Sequence, residues 1–458
     1  MSLILVFIVA FLIRLIFLNQ SLWLDEAIVA RVVSQYKFFE ILTKFSIFDF
    51  HPPLYYWLMK LWTNIFGLSE ISLRMPSIIF SLLTGYFIYK IGIHLKDEKL
   101  GFWSAILFLF NPLIIYYSQE ARMYMMATFL TAGSFYYFLL IQKKSRHDNL
   151  LILILFNLFL ILSFYTFYGS VFLILTYLVY FLLKKKKYYF QLTTILFLIF
   201  LILISPLLFY QVTNAHQSLK EVVNWSLVLG KANIKNLLLI PIKFLIGRIS
   251  FYPKYLYWLS VLFVLIFFID VIKNYFDNYL KNNINEKKIK LVLYFLLTPI
   301  FFGFLISFFV PMLNYFRFLY VIPFLSIYLS FITVFTKEKF HHYIFFIFLF
   351  FSMIYFIFPY FHREDWKSLS LYLRKNNINE VYIISSSSDP INYYNNKIKI
   401  NSLKSVCDER VFLDDKKIYV IPYSSEIWGV DYKKCLNRQG KNYLLTINFR
   451  GLTLEYYR

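Results

Sequence analysis

The chain has 458 residues, 60% of them hydrophobic, 22% aromatic and only 16% charged, with a net charge of +22 and a mean hydropathy of +0.61. A soluble domain averages roughly 45–50% apolar and about 25% charged residues, so disorder, a fibrous repeat and a cytosolic globule are excluded. The positive charge does not point to nucleic acid, because the basic residues lie between long apolar runs instead of on one face.

A helix needs about 20 apolar residues to cross the hydrocarbon core. Eleven runs approach that length: 1–18, 76–93, 101–117, 123–141, 150–163, 170–183, 190–210, 255–272, 291–310, 318–335 and 343–360. The first lacks a basic leading segment and a small-residue cleavage site, so an uncleaved anchor is predicted there, not a signal peptide. Alternate loops differ in charge. Loops 94–100, 142–149, 184–187, 273–290 and 336–342 carry 16 Lys and Arg in 44 residues, whereas 19–75, 118–122, 164–169, 211–254 and 311–317 carry 13 in 119. The positive-inside rule assigns the first set to the cytoplasm. The expected localisation is therefore the plasma membrane, multi-pass, with the N-terminus inside, 1–360 as the membrane domain and 361–458 as an extracytoplasmic domain. Charges inside the runs are few. Lys90 and Asp270 fall near cytoplasmic ends, where they can snorkel, and Arg14 lies toward the outer end of the first run.

The first outer loop, 19–75, is too apolar for a free linker. From Val29 onward Val32, Val33, Tyr36 and Phe39 recur at helical spacing, and a second amphipathic run starts at Pro53 and passes through Trp57, Leu58, Leu61 and Ile65 to a stop at Gly67. Both are predicted to be helices lying in the outer interface, where they hold polar groups at headgroup level or cover the bundle.

Polar residues on the predicted outer side cluster early: the catalytic candidates Asp25 and Glu26 in SLWLDEA, and the substrate-binding candidates His51 in FHPPLYYW, Arg74 in SLRMPS, and Tyr117, Glu120 and Arg122 in YYSQEARMY. Adjacent carboxylates at a helix start point about 100° apart, so Asp25 and Glu26 take separate roles. One can accept a proton from a hydroxyl while the other pairs with an arginine; helix capping by Asp25 is the alternative. Glu120 and Arg122 read equally as an ion pair, with Arg122 otherwise a phosphate ligand, since its fork fits phosphate oxygens. Arg317 is a second phosphate candidate, or an anchor. His51 can bind metal or phosphate, or simply be hydrogen-bonded. The glycine-rich phosphate loop, GxSxG and HExxH are all missing from the sequence.

The tail changes character at 361. A helix is predicted at 365–375 and strands at Val381–Ser385, Ile418–Pro422 and Tyr443–Phe449, giving a small soluble α/β domain. Cys407 and Cys435 fit no zinc spacing; outside the cytoplasm they can form a disulfide, or they are two unrelated thiols.

Together, SLWLDEA, HPPLYYWLMKLWTNIFG followed by SEISLRMPS, and NPLIIYYSQEARMY resemble the N-terminal half of GT-C membrane glycosyltransferases. The nearest branch is the family 39 group of protein O-mannosyltransferases and aminoarabinose transferases. The resemblance is dense over 14–130 and then thins to a pattern of spans, with NYFRFLYVIPFL similar to the family's Arg-Tyr-Leu segment except for Phe318 in place of Tyr. It implies a polytopic α-helical fold of about eleven spans. It also implies inverting transfer of a hexosyl or pentosyl group from a polyprenyl-phosphate donor to an acceptor hydroxyl on protein, lipid or glycan, at the extracytoplasmic face. By position Asp25 would be the general base, Glu26 its neighbour, and Arg122 the arginine that contacts the donor or orders the acids. His51 stands where the aminoarabinose branch has a metal-contacting glutamate, and Pro52 where it has a lysine near the lipid phosphate. Membrane lipid is an expected partner and nucleic acid is not. No cofactor is required, because a phosphodiester-linked sugar is already activated, and a divalent metal at His51 is the remaining alternative. A lipid-linked-sugar flippase, an O-antigen-type ligase or polymerase, and a non-catalytic scaffold are the competing readings; midplane acids and internal repeats, which would favour transport, are not found in the sequence.

Overall fold

The computed structural model describes residues 2–143, 150–282, 286–334, 339–408 and 417–458. The basic loops 142–149 and 336–342, and the turn within 273–290, lie partly outside these residues, Asp148 and Glu338 among them. All eleven apolar runs are helical. Seven form helices long and apolar enough to span alone: Glu70–Leu95, Tyr124–Gln142, Lys187–Glu221, Lys254–Asn274, Lys287–Ile306, Tyr315–Val334 and Lys339–Ile357. Leu3–Leu15, Leu150–Thr166 and Tyr168–Leu183 are shorter. At about 1.5 Å per residue, a helix of this length falls short of a hydrocarbon core of about 30 Å.

The run 101–117 departs from a straight span. Glu98–Leu109 and Pro112–Ser118 meet at 61°. Pro112 has no N–H to continue the first helix, and Asn111 before it is extended and caps the second helix, its side chain accepting from the N–H groups of Leu113 and Ile114. The bend redirects the short second helix, which carries Tyr116 and Tyr117. Helices Tyr124–Gln142 and Tyr315–Val334 are the most buried, whereas Lys187–Glu221 and Lys254–Asn274 expose most of their apolar surface, including Ile202 and Phe263. Such faces suit lipid and would be costly in water.

The loop 19–75 forms helices Leu24–Gln35, which stops short of the expected Tyr36 and Phe39, and Leu54–Phe66, which ends as expected at Gly67 in the left-handed region. Val29, Val32 and Val33 are buried, while Leu61 and Ile65 face outward beside Phe66. The polar outer end of Lys187–Glu221 holds this loop, since Gln211 donates to the carbonyls of Ser46 and His51, and Asn214 to that of Ile47.

The tail forms a five-stranded mixed sheet. β1 (Glu380–Ile383) pairs in parallel with β2 (Lys399–Ser402) and β3 (Ile418–Ile421), while β5 (Leu452–Tyr457) pairs antiparallel with β3 and β4 (Tyr443–Phe449), in the order β2-β1-β3-β5-β4. Helix Trp366–Lys375 packs Trp366, Leu369 and Leu373 on this sheet. β2 and β5 were not expected. β2 is a short edge strand without alternation, whereas β5 does alternate, with Leu452 and Leu454 inward, and follows a turn at Arg450–Gly451. Cys407 and Cys435 are joined in a disulfide.

Candidate active site

Two ionic clusters form where the first outer loop, the turn 119–122 and the start of the tail meet. The helix beginning at Leu24 presents Asp25 and Glu26 in different directions. Glu26 is buried and grips Arg74: Oε1 accepts from Nε at 2.8 Å and Oε2 from Nη2 at 2.5 Å. Oε1 also accepts from the N–H of Ala121, and Oε2 from that of Trp23. The other Arg74 protons go to the carbonyls of Leu18, Gln20 and Ser21. All five guanidinium N–H groups are thereby used. Arg74, expected to bind substrate, instead fixes Glu26 and the loop, because it has no donor left to offer. Glu26 is likewise buried, with both carboxylate oxygens already bonded.

Asp25 keeps 30% of its side chain exposed and lies 3.4 Å from Nη2 of Arg122. It does not cap the helix, whose N-cap is Trp23. Arg122 also faces Nε2 of His51 at 3.5 Å, and Nδ1 of His51 lies 3.2 Å from Asp49, whose other oxygen accepts from Tyr56 at 2.8 Å. Burial opposes ionisation of Asp49, but His51 and Arg122 outweigh it and hold the carboxyl below its ordinary range. Burial likewise opposes the charge on Arg122, and Asp25, Tyr56, Tyr124 and Asp49 together outweigh it.

The expected Glu120–Arg122 ion pair is not formed. The turn sends the two side chains apart, its own backbone closing from Arg122 N–H to the Glu120 carbonyl. Arg122 turns to Asp25, and Glu120 pairs with Arg363 at 2.7 Å. Burial raises the Glu120 carboxyl above its usual range, with Arg363 offsetting part of the shift. Tyr117 is buried in an aromatic stack with Tyr116 and Tyr124, its ring centroid 5.1 and 5.3 Å from theirs. Arg317, half-buried at the outer end of its helix, makes no ion pair among the described residues and lies 6.0 Å from the Phe316 ring.

Three participants escaped the sequence reading. Asp49 stands two residues before His51, close enough for the DFHPP spacing to have suggested a pair. Arg363 follows the last span and reaches Glu120 across 243 positions, for which no local signal exists. Arg248 bonds the Tyr116 hydroxyl and stacks on its ring. Gly247 allows this approach: its φ is +77°, and a Cβ there would lie 3.0 Å from Pro112. Arg248 makes no ion pair among the described residues.

Among the described residues, no group of three or more His, Cys, Asp or Glu side chains is placed to hold a metal. His51, the alternative metal ligand, has one ring nitrogen on Asp49 and the other against the Arg122 cation, which disfavours a second cation there.

A bent helix pair, short helices carrying an acid pair in the loop 19–75 and a small mixed-sheet domain match the GT-C membrane fold. Over residues 50–210 the chain matches the family described as dolichyl-phosphate-mannose-protein mannosyltransferase. The oligosaccharyltransferase of Archaeoglobus fulgidus, in complex with zinc and sulfate, is similar in fold at 12% identity and TM-score 0.54, over 92% of this chain and 68% of that one. The same organism's AglB with an inhibitory peptide and a dolichol-phosphate gives 11%, 0.53, 96% and 72%. ArnT from Cupriavidus metallidurans bound to undecaprenyl phosphate gives 10%, 0.50, 99% and 97%. No curated protein matches in sequence. The chain thus shares the multi-pass GT-C membrane fold of these proteins.

Proposed function

We propose that the protein transfers a hexosyl or pentosyl group from a polyprenyl phosphate to an acceptor hydroxyl, with inversion, at the extracytoplasmic face. One observation carries the reading. Of two adjacent carboxylates, Glu26 is locked by Arg74 and two backbone N–H groups, while Asp25 remains partly open beside a buried arginine. Asp25 then takes the proton from the acceptor hydroxyl as its oxygen attacks C1, and the C1–O bond to the lipid phosphate breaks on the opposite side. General-base help of this kind contributes roughly 10²–10⁴-fold. Arg122 holds Asp25 ionised and oriented, and His51 and Asp49 hold Arg122.

The leaving phosphate gains negative charge, which free cations stabilise. Arg248 and Arg317 make no ion pair among the described residues and lie on the two segments flanking the aromatic cluster of Tyr116, Tyr117 and Tyr124. The ligands of two proteins of similar fold support a lipid-phosphate donor: the dolichol-phosphate on AglB and the undecaprenyl phosphate on ArnT. The charge asymmetry of the loops, and the Cys407–Cys435 disulfide, which persists best in an oxidising compartment, support an outer location for the tail. The tail contacts the loop that carries Asp25, so both share one side.

The test is a gene deletion followed by mass spectrometry of glycoconjugates. One glycan is expected to lose a single sugar, which the wild-type gene restores and Asp25→Asn does not. Restoration by Asp25→Asn would refute the base assignment.

A further inference from the structure

We propose that Arg363 is a positioning residue for Asp25, and that through it the tail domain braces the loop on which the chemistry depends. The inference rests on the reading of Asp25 as the base. The tail touches three consecutive residues just ahead of the helix that carries Asp25. Lys367 donates its backbone N–H to Ser21 Oγ at 3.1 Å, Tyr394 accepts the N–H of Leu22 at 2.8 Å, and the Arg363 guanidinium lies 3.8 Å from the ring centroid of Trp23. Each contact comes from a different part of the tail.

Trp23 is the lever in this arrangement. Its carbonyl accepts the first helical bond, from Ala27, and its N–H reaches Glu26, so a shift of Trp23 moves the helix start two residues before Asp25. Arg363 also pairs with Glu120 at 2.7 Å, and Glu120 adjoins Ala121, whose N–H bonds Glu26. One guanidinium therefore ties both strands of the acid site together. Its backbone is held from the tail side, because Arg450 at the β4–β5 turn donates Nε to the Arg363 carbonyl, and its own carbonyl accepts from Asp365 N–H. Arg31 with Asp389, and Lys367 with Glu70, close the contact on either flank at 2.7 and 2.9 Å. The tail is in this sense part of the site.

The experiment uses the full chain in lipid nanodiscs and needs no substrate. Hydrogen exchange is followed for Arg363→Met and for Tyr394→Phe, which removes only a hydroxyl and serves if Arg363→Met does not accumulate. The amides of residues 21–26 are expected to exchange about tenfold faster than in the wild type, through local opening, with residues 124–142 unchanged. In the deletion strain, the sugar restored by Arg363→Met should fall about 10²-fold, the scale of a misplacement near 1 Å. Wild-type exchange at 21–26 in both variants, or faster exchange throughout the bundle, would overturn the brace. Asp25→Asn separates the two ideas: it should abolish transfer with wild-type exchange at 21–26. If it retains transfer while the Arg363 and Tyr394 variants open the loop, the base assignment fails and the brace stands.

Discussion

Two ionic clusters sit side by side at one end of the bundle and are built on opposite plans. In the Glu26–Arg74 cluster both side chains are 1% exposed, contacts run from 2.5 to 3.4 Å and every arginine proton has an acceptor. In the cluster of Asp25, Arg122, His51 and Asp49, those groups face one another at 3.2 to 3.5 Å, and Asp25 is 30% exposed. A saturated buried pair can only hold a shape, since removing either partner strands a charge. A looser set around an accessible carboxylate can take up a ligand without losing a bond. Adjacent residues acquire these opposite tasks because one helical step turns the side chain by about 100°.

That contrast can be broken from either side. The largest stability effect is expected at Arg74: Arg74→Met should cost about 3–5 kcal/mol by leaving Glu26 buried and unpaired, seen as loss of folded protein in detergent-resistant fluorescence size exclusion. Accumulation at wild-type level would remove the distinction between the clusters. Arg122→Lys should fold but lose turnover by about 1–3 kcal/mol in transition-state free energy, because an ammonium cannot bridge Asp25 and His51 as the planar fork does. Arg248→Met should lower kcat and kcat/KM for the donor about tenfold, the mark of an interaction that strengthens as the phosphate leaves; an unchanged kcat would take Arg248 out of that role. The smallest effect concerns pH. The Asp49 carboxyl is held below its ordinary range in the fold, so its contribution to stability is present above that range and is lost as pH falls through the folded value. Asp49→Asn should therefore lower the thermal midpoint modestly near neutrality and flatten its acid limb, with the difference from wild type vanishing as pH falls.

The membrane part was largely legible, because a span announces itself by twenty apolar residues in a row. Even the break at Asn111–Pro112 was written locally, in a capping residue followed by one that cannot donate. The separate roles of Asp25 and Glu26 followed from helical geometry, but the partner of each did not. Glu26 meets Arg74 across 48 positions and Glu120 meets Arg363 across 243, and such pairings depend on how helices pack, not on spacing. The same cause undid the Glu120–Arg122 pair, since proximity in a turn says little about the direction of two side chains. In the tail, β5 alternated clearly, whereas β2, a four-residue edge strand, is held by its neighbour more than by its own residues.

The net charge of +22 conceals the site. Sixteen basic residues belong to the short basic loops and sixteen to the tail, while the first outer loop balances five against five. Its charges are spent mainly on one another and on the tail, and Asp25 stays partly open beside a buried arginine.

The most direct test pairs thermal midpoint with transfer in Asp25→Asn, in the same membrane preparation as the wild type. The division between a sealed and an open cluster predicts a wild-type midpoint and a loss of transfer of about 10²-fold or more. A lowered midpoint with proportionate loss of transfer, or a full rate, would contradict it.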